Sequence, residues 1–153
     1  MKKTITMTLN GDLRSVEVEP SDILLDVLRT RLGIKSPKIG CEKGDCGACT
    51  ILLNGKVVRS CLILAIEVDG QEVTTVEGVG RNGMSKLQKA FVEQNSFQCG
   101  FCAPGMVLAA TALLDKNPHP SEGEVKEALA GNLCRCTGYG PIIDAVMSVA
   151  KED

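Results

Sequence analysis

The stretch that decides the fold is residues 40–50, GCEKGDCGACT, in which three cysteines share one short loop with three glycines. Cys41, Cys46 and Cys49 follow a C-x4-C-x2-C pattern, and eleven residues separate Cys49 from a fourth cysteine, Cys61. The glycines lack side chains, so the backbone can wrap closely and direct its N–H groups at the sulfurs. The stretch therefore predicts a metal-binding loop, with the fourth thiolate supplied by a neighbouring hairpin strand.

This cysteine spacing is typical of plant-type ferredoxin loops, in which four thiolates bind a [2Fe–2S] cluster. A tetrahedral zinc site is the first alternative, but structural zinc is usually held by paired C-x2–4-C knuckles, which this spacing fits poorly. Disulfides are the second alternative. We predict a cytoplasmic protein, and in that reducing compartment a set of eight cysteines more often binds metal or carries out redox chemistry.

A second cysteine set consists of Cys99-Gly-Phe-Cys102 and Cys134-Arg-Cys136, whose two halves are separated by 31 residues. A C-x2-C pair alone is also typical of thioredoxin-like redox motifs, but those require a βαβ context. Here both pairs precede predicted helix N-termini, whose partial positive charge and free N–H groups suit an anionic cluster. The C-x-C half is too tight for a standard zinc knuckle. The set predicts a second [2Fe–2S] cluster, with zinc as the alternative.

The first half of the chain shows strand patterns interrupted by one helix. Asn10-Gly11 and Asn54-Gly55 lie between alternating apolar and polar segments, which is a strong hairpin signal. Ser21 is predicted to cap a helix that Gly33 ends. The predicted strands are residues 3–9, 13–19, 51–53, 57–59 and 72–76. Two hairpins, a crossing helix and a long loop predict a β-grasp arrangement.

The second half of the chain shows helical patterns after a glycine-rich stretch, EGVGRNGM at 77–84. Pro104 and Pro141 suit the first turn of a helix, and Ser121 with Glu124 forms a capping box. The four predicted helices are residues 85–94, 104–115, 122–131 and 141–150. We therefore predict an α+β protein with a β-grasp, plant-type ferredoxin-like domain at 1–77, a linker at 78–84 and a four-helix-bundle [2Fe–2S] domain at 85–153.

Composition excludes several classes of function. The net charge is −2, aromatic residues make up 3% of the chain and tryptophan is absent, which argues against a nucleic-acid partner. No apolar stretch reaches the roughly 18 residues of a membrane span. Apolar and polar residues alternate at the N-terminus, which predicts a strand rather than a signal peptide. No nucleophile–base pair, phosphate loop or paired carboxylates predict a catalytic residue in this chain.

Three stretches closely resemble the small iron–sulfur subunit of the xanthine oxidase family of molybdenum hydroxylases: residues 40–50, residues 98–106 (QCGFCAPGM) and residues 131–142 (GNLCRCTGYGPI). The resemblance covers nearly the whole chain. It implies a heterotrimeric oxidoreductase with a large subunit that binds a molybdopterin-type molybdenum cofactor and a medium subunit that binds FAD. It further implies that electrons pass from molybdenum to the cluster of Cys99, Cys102, Cys134 and Cys136, then to that of Cys41, Cys46, Cys49 and Cys61, and then to FAD or an external acceptor.

The resemblance also implies that Gln98 and Cys136 approach the pterin of the molybdenum cofactor, whereas the alternative for Gln98 is a polar turn residue. One position departs from the family pattern, since Ala103 replaces the threonine usual there. Two other functions are compatible with the cysteines: a diffusible electron carrier, and a zinc-stabilised interaction module. A diffusible carrier would not need a second cluster held beside a partner, and a zinc-stabilised module would be colourless.

Overall fold

Five β-strands form one mixed sheet in the computed structural model, which describes residues 1–150. Both Asn-Gly turns confirm the predicted hairpins, since Asn10 and Asn54 have φ of 52° and 50° and Gly11 and Gly55 have φ of 86° and 77°. A two-residue type I′ hairpin requires this left-handed conformation at both turn positions. The strands are β1 (Lys3–Leu9), β2 (Asp12–Val18), β3 (Thr50–Leu53), β4 (Lys56–Arg59) and β5 (Glu72–Thr74), in the order β2-β1-β5-β3-β4. Only the β1–β5 pair is parallel among the strands of residues 1–150.

Helix α1 (Leu24–Thr30) packs its apolar side against the sheet, with Leu24 and Leu28 fully buried. The prediction that Ser21 caps this helix is wrong, because the N-cap is Ile23 and no side chain caps it. Ile23 forms a β-bridge with Leu64, and the Leu24 N–H donates to the Ile63 carbonyl at 2.8 Å. This long-range pairing keeps the chain extended past Ser21 and delays the helix.

The helices of the second half begin after the sheet is complete. Ser85 and Ser121 each accept a hydrogen bond from the backbone N–H three residues later, which confirms the predicted capping box at Ser121. The apolar side chains of these helices form a second core that includes Phe91, Met106 and Ile142. The helices are α2 (Val76–Val79), α3 (Lys86–Glu93), α4 (Ala103–Lys116), α5 (Glu122–Leu129) and α6 (Gly140–Ala150).

Two sequence predictions concern the two ends of the helical half. Helix α2 occupies the start of the region predicted as a linker. Residues 151–153, the end of the predicted helical domain, lie outside the described residues. Within residues 1–150, no helix has the length and apolar character needed to cross a bilayer.

The two halves meet where the cysteine loop touches the segment after α5. The Asn132 side chain donates to the Gly47 carbonyl at 3.1 Å, and the Leu133 N–H donates to the Cys46 carbonyl at 2.9 Å. Gly47 has φ of 73°, and a Cβ there would lie 2.9 Å from Asn132 Cα and overlap the Gly131 carbonyl oxygen. Glycine at position 47 therefore permits a backbone contact that fixes the two halves relative to each other.

A matched pair of alanine substitutions tests this contact. Gly47 and Gly55 both have left-handed φ, but a Cβ at Gly55 meets nothing within 4 Å. Gly55→Ala should lower stability by about 1 kcal/mol through backbone strain alone, which is about 2–4 °C in apparent Tm for a chain of this size. Gly47→Ala should add a steric cost of about 1–3 kcal/mol. Thermal unfolding of both variants measures the difference, and equal shifts would show that the contact does not constrain the halves.

Candidate iron–sulfur sites

The first cysteine set lies on the loop before β3 and on the 3₁₀ turn Ser60–Leu62 that follows β4. The Ser60 N–H and hydroxyl both donate to the Cys49 carbonyl, at 3.3 Å and 2.7 Å. These bonds, with the pairing of β3 and β4, bring Cys61 beside Cys49. Both cysteines are buried and pack against Leu25, whereas Cys41 and Cys46 are half-buried. The structure thus places the predicted fourth cysteine next to the loop.

Backbone N–H groups point at the sulfurs of this loop. Cys41 Sγ accepts from the N–H groups of Lys43, Asp45 and Cys46 at 3.5, 3.3 and 3.4 Å, and Cys46 Sγ accepts from Ala48 at 3.5 Å. The hydrogen bond from Cys46, followed by that from Lys43, lowers the pKa of Cys41 to about 6. The loop therefore stabilises a thiolate at Cys41.

Two glycines of the loop make space for neighbouring side chains. A Cβ at Gly40 would lie 2.7 Å from Cys46 Sγ, and a Cβ at Gly44 would lie 2.6 Å from Leu62 Cδ1. Gly44 also has φ of 87°, which other residues adopt only with strain. The glycine positions therefore allow the wrapping that the sequence predicts.

Burial acts in the opposite direction at Cys61. Desolvation, followed by the neighbouring Cys49 thiol, raises the pKa of Cys61 to about 11. A thiolate at this buried position needs an adjacent cation, because burying an unpaired negative charge is unfavourable. An iron ion bound by the sulfur would supply that charge.

The second set brings two distant turns together. Cys136 Sγ lies 3.6 Å from Cys99 Sγ, and the Cys102 thiol hydrogen-bonds with Cys134, so each turn contributes one sulfur to each contact. Cys102 is the N-cap residue of α4, where no side chain makes a capping bond. Cys99 and Cys136 are exposed, and the other two are half-buried. All four predicted ligands therefore converge, and one side of the set faces the surface.

Tyr139 and Thr137 support the second turn, and the sequence did not indicate them. The Cys134 N–H donates to the Tyr139 hydroxyl at 3.0 Å, and Cys134 Sγ lies 3.2 Å from the Thr137 hydroxyl. Burial opposes ionisation of Cys134, but the hydrogen bonds from Thr137 outweigh it and lower its pKa. Burial, together with Cys134, raises the pKa of Cys102 to about 12. As in the first set, hydrogen bonds stabilise one thiolate, and burial disfavours the charged form of another thiol.

Gln98 lies beside the second set and is exposed. Its side-chain amide donates to the Cys136 carbonyl at 3.2 Å, so it bridges the two cysteine turns. Ala103 is the first residue of α4, and its N–H donates to the Gly100 carbonyl at 3.3 Å. The alanine leaves the start of α4 without a side-chain hydroxyl at this position.

The donor sets fit [2Fe–2S] clusters. Each set contains four sulfurs and matches the four-thiolate ligand set of such a cluster. N–H groups directed at sulfur, a glycine at position 40 that leaves room for it and a buried thiol at Cys61 that needs a cation all suit a cluster with cysteine ligands. In the described part of the chain, no group of three or more His, Cys, Asp or Glu side chains is arranged to hold a single metal ion.

Comparisons with known proteins identify two iron–sulfur domains in this chain. A family model described as a 2Fe-2S iron-sulfur cluster binding domain matches residues 7–76, and one described as a [2Fe-2S] binding domain matches residues 75–147. The chain is 51% identical to the nicotinate dehydrogenase small FeS subunit of Eubacterium barkeri, over 95% of this chain and 93% of that protein. It is 42% identical to the xanthine dehydrogenase iron-sulfur-binding subunit of Escherichia coli O157:H7, over 97% and 94%.

Similarity extends to solved structures. The crystal structure of quinoline 2-oxidoreductase from Pseudomonas putida 86 includes a chain that matches with a TM-score of 0.94 and 47% identity. The match covers 97% of this chain and 93% of that one. The five-stranded sheet, the helices and the turns that carry the cysteines therefore have a close structural counterpart.

The loop geometry predicts unequal reactivity of the thiols in cluster-free protein that keeps its fold. Because the pKa of Cys41 is lowered to about 6, its thiolate is present above that pH and is lost below it. Alkylation of Cys41 by iodoacetamide should therefore be half-maximal at about pH 6, measured by peptide mass spectrometry. In denaturant, which removes the backbone N–H bonds, the midpoint should return to about 8.5. The same midpoint in both conditions would contradict the assigned hydrogen bonds.

Proposed function

We propose that this chain, which belongs to the family of small iron–sulfur subunits of the molybdenum hydroxylases, carries electrons through two [2Fe–2S] clusters between two partner subunits. The donor is a molybdopterin-type molybdenum cofactor on a large subunit, and the acceptor is FAD on a medium subunit or an external acceptor. The complex is a cytoplasmic heterotrimer with its catalytic site outside this chain. The observation that carries the proposal is the convergence of eight cysteines into two separate sets of four.

Each set is proposed to bind one cluster, which accepts and releases one electron at a time. The first set consists of Cys41, Cys46, Cys49 and Cys61, and the second of Cys99, Cys102, Cys134 and Cys136. The chain holds these ligands on elements fixed by backbone hydrogen bonds, so their spacing does not depend on the metal alone. This preorganisation limits the rearrangement that accompanies each change of charge.

The architecture proposed for this function has a β-grasp, ferredoxin-like domain at residues 1–77, a linker at 78–84 and a four-helix domain at 85–153. The five strands all lie before residue 75, and α3 to α6 all lie after residue 85. Each domain would supply one ligand set. This division supports two clusters that have different surroundings and therefore different reduction potentials.

The order of the clusters is proposed from exposure. Cys99 and Cys136 are exposed at the end of the helical half, where Gln98 also lies, so a partner subunit can approach the second set directly. The hydrogen bond from the Leu133 N–H to the Cys46 carbonyl then joins the two sets, because Leu133 directly precedes Cys134. Electrons are proposed to enter at the second set and to leave from the first.

Metal analysis and EPR of selective variants test the two-cluster assignment. The purified complex should contain about four irons and four labile sulfides per copy of this chain, and reduction should give two distinct EPR signals. Cys46→Ser should abolish one signal and Cys102→Ser the other, because each variant removes a ligand of one set. Zinc in place of iron, or loss of both signals in either folded variant, would overturn the assignment.

A second test concerns Gln98, which we propose approaches the pterin. Gln98→Ala should leave both EPR signals nearly unchanged but slow the reduction of the clusters by substrate or weaken retention of the molybdenum cofactor. Rapid-mixing absorbance and molybdenum content measure the two effects. Gln94→Ala is the matched control, because Gln94 also makes a single side-chain bond in the helical half, to Ser148 at 2.8 Å. Unchanged rates with full molybdenum content would show that Gln98 is only a turn residue.

A further inference from the structure

We infer that Arg59 is a positioning residue between the two cysteine sets, whose positive charge favours an electron on the cluster of the first set. The inference rests on the proposed function and assigns a role to a residue that is not a cluster ligand. It would make transfer from the second set to the first more favourable.

The position of Arg59 links both sets. It ends β4 two residues before Cys61, and its guanidinium donates to the Thr50 hydroxyl at 2.9 Å and to the Gly131 carbonyl at 2.7 Å. Thr50 directly follows Cys49, and Gly131 lies three residues before Cys134. A Cβ at position 131 would overlap the Arg59 guanidinium, so the side chain lies directly against this segment. One side chain therefore contacts the neighbours of ligands from both sets.

Arg59 forms no ion pair with a carboxylate of residues 1–150. Arg31 and Arg81 form ion pairs with Asp22 and Asp12, but Arg59 forms none with the residues of the described part. Both of its hydrogen-bond acceptors are neutral, since one is a hydroxyl and the other a backbone carbonyl. The side chain is half-buried, so solvent screens its charge less than that of an exposed arginine. The positive charge of Arg59 is therefore available to interact with a cluster bound by the adjacent cysteines.

Reduction adds one negative charge to a cluster, and a nearby cation favours that charge. Arg59 is two residues from Cys61 and contacts the residue after Cys49, whereas its contact with the second set is through a residue three positions from Cys134. Its effect should thus be larger on the first set. This difference raises the electron affinity of the first cluster relative to the second.

A purely structural role for Arg59 can be separated from its charge, because a neutral side chain also joins the two halves. Asn132 is 2% exposed and donates to the Gly47 carbonyl and the Thr50 hydroxyl, both at 3.1 Å. Asn132→Ala removes this neutral link without changing charge. Arg59→Gln removes the charge. Arg59→Lys keeps the charge but loses the planar guanidinium that donates to both acceptors. Arg14→Gln removes an exposed charge from β2, at the opposite edge of the sheet from β4.

EPR-monitored redox titration of the assembled complex measures the equilibrium constant for sharing one electron between the clusters. Arg59→Gln should shift this constant toward the second set by about tenfold, because loss of the unit charge lowers the electron affinity of the first cluster more than that of the second. A tenfold change is about 59 mV for a one-electron couple. Arg59→Lys should keep most of the wild-type constant, and Asn132→Ala and Arg14→Gln should leave it nearly unchanged.

An unchanged constant in Arg59→Gln would overturn the inference, as would a tenfold shift in Arg59→Lys or Asn132→Ala. If Arg59→Gln fails to assemble its clusters, the Arg59→Lys result decides, since a wild-type constant supports the role of charge and a tenfold fall contradicts it. Failure of the proposed function is distinguishable, because the wild-type complex would then lack two separate cluster signals. Two signals with a constant insensitive to Arg59 would contradict this inference alone.

Discussion

The backbone contact between the Gly47 turn and the Asn132 segment is the constraint on which the placement of both cysteine sets depends. Gly47 lies between two cysteines of the first set, and Asn132 lies two residues before Cys134 of the second. The contact leaves the buried Asn132 Oδ1 without a hydrogen-bond partner in the described chain, a cost of about 1–3 kcal/mol. The fold tolerates this cost because the Asn132 amide makes two other bonds across the interface. Neither set can move far without moving the other.

The surroundings of the thiols show how each set favours a bound cation. Cys41 and Cys134 have lowered pKa values because hydrogen bonds stabilise their thiolates, whereas burial raises the pKa values of Cys61 and Cys102. Each set thus combines a thiol whose thiolate is stabilised with a thiol whose raised pKa disfavours ionisation until a cation is adjacent. Metal binding is therefore coupled to deprotonation and to the packing around the buried sulfur. Folding and metal binding would therefore stabilise each other.

Local signals in the sequence predicted most of the elements, and long-range contacts account for what they missed. The Asn-Gly hairpins and the Ser121 cap depend on adjacent residues, so their patterns are visible in the sequence. The spacing of the cysteines also indicated which four belong together. Ser21 failed as a cap because the pairing of Ile23 with Leu64 keeps the chain extended. The role of Tyr139, and the bonds that join the two halves, depend on contacts that leave no periodic signal.

The rigidity of the contact between the halves favours a subunit over a diffusible carrier. Exposed apolar side chains lie near both sets: Phe97 and Phe101 flank Cys99, and Leu62 follows Cys61. Clustered exposed apolar surface is typical of protein interfaces. Because the two sets are fixed relative to each other, this chain cannot present one set and then the other to a single partner by internal motion. The proposed arrangement, with two partners at two faces and one for each set, would use both clusters, and the charge of Arg59 between them would give the transfer a direction.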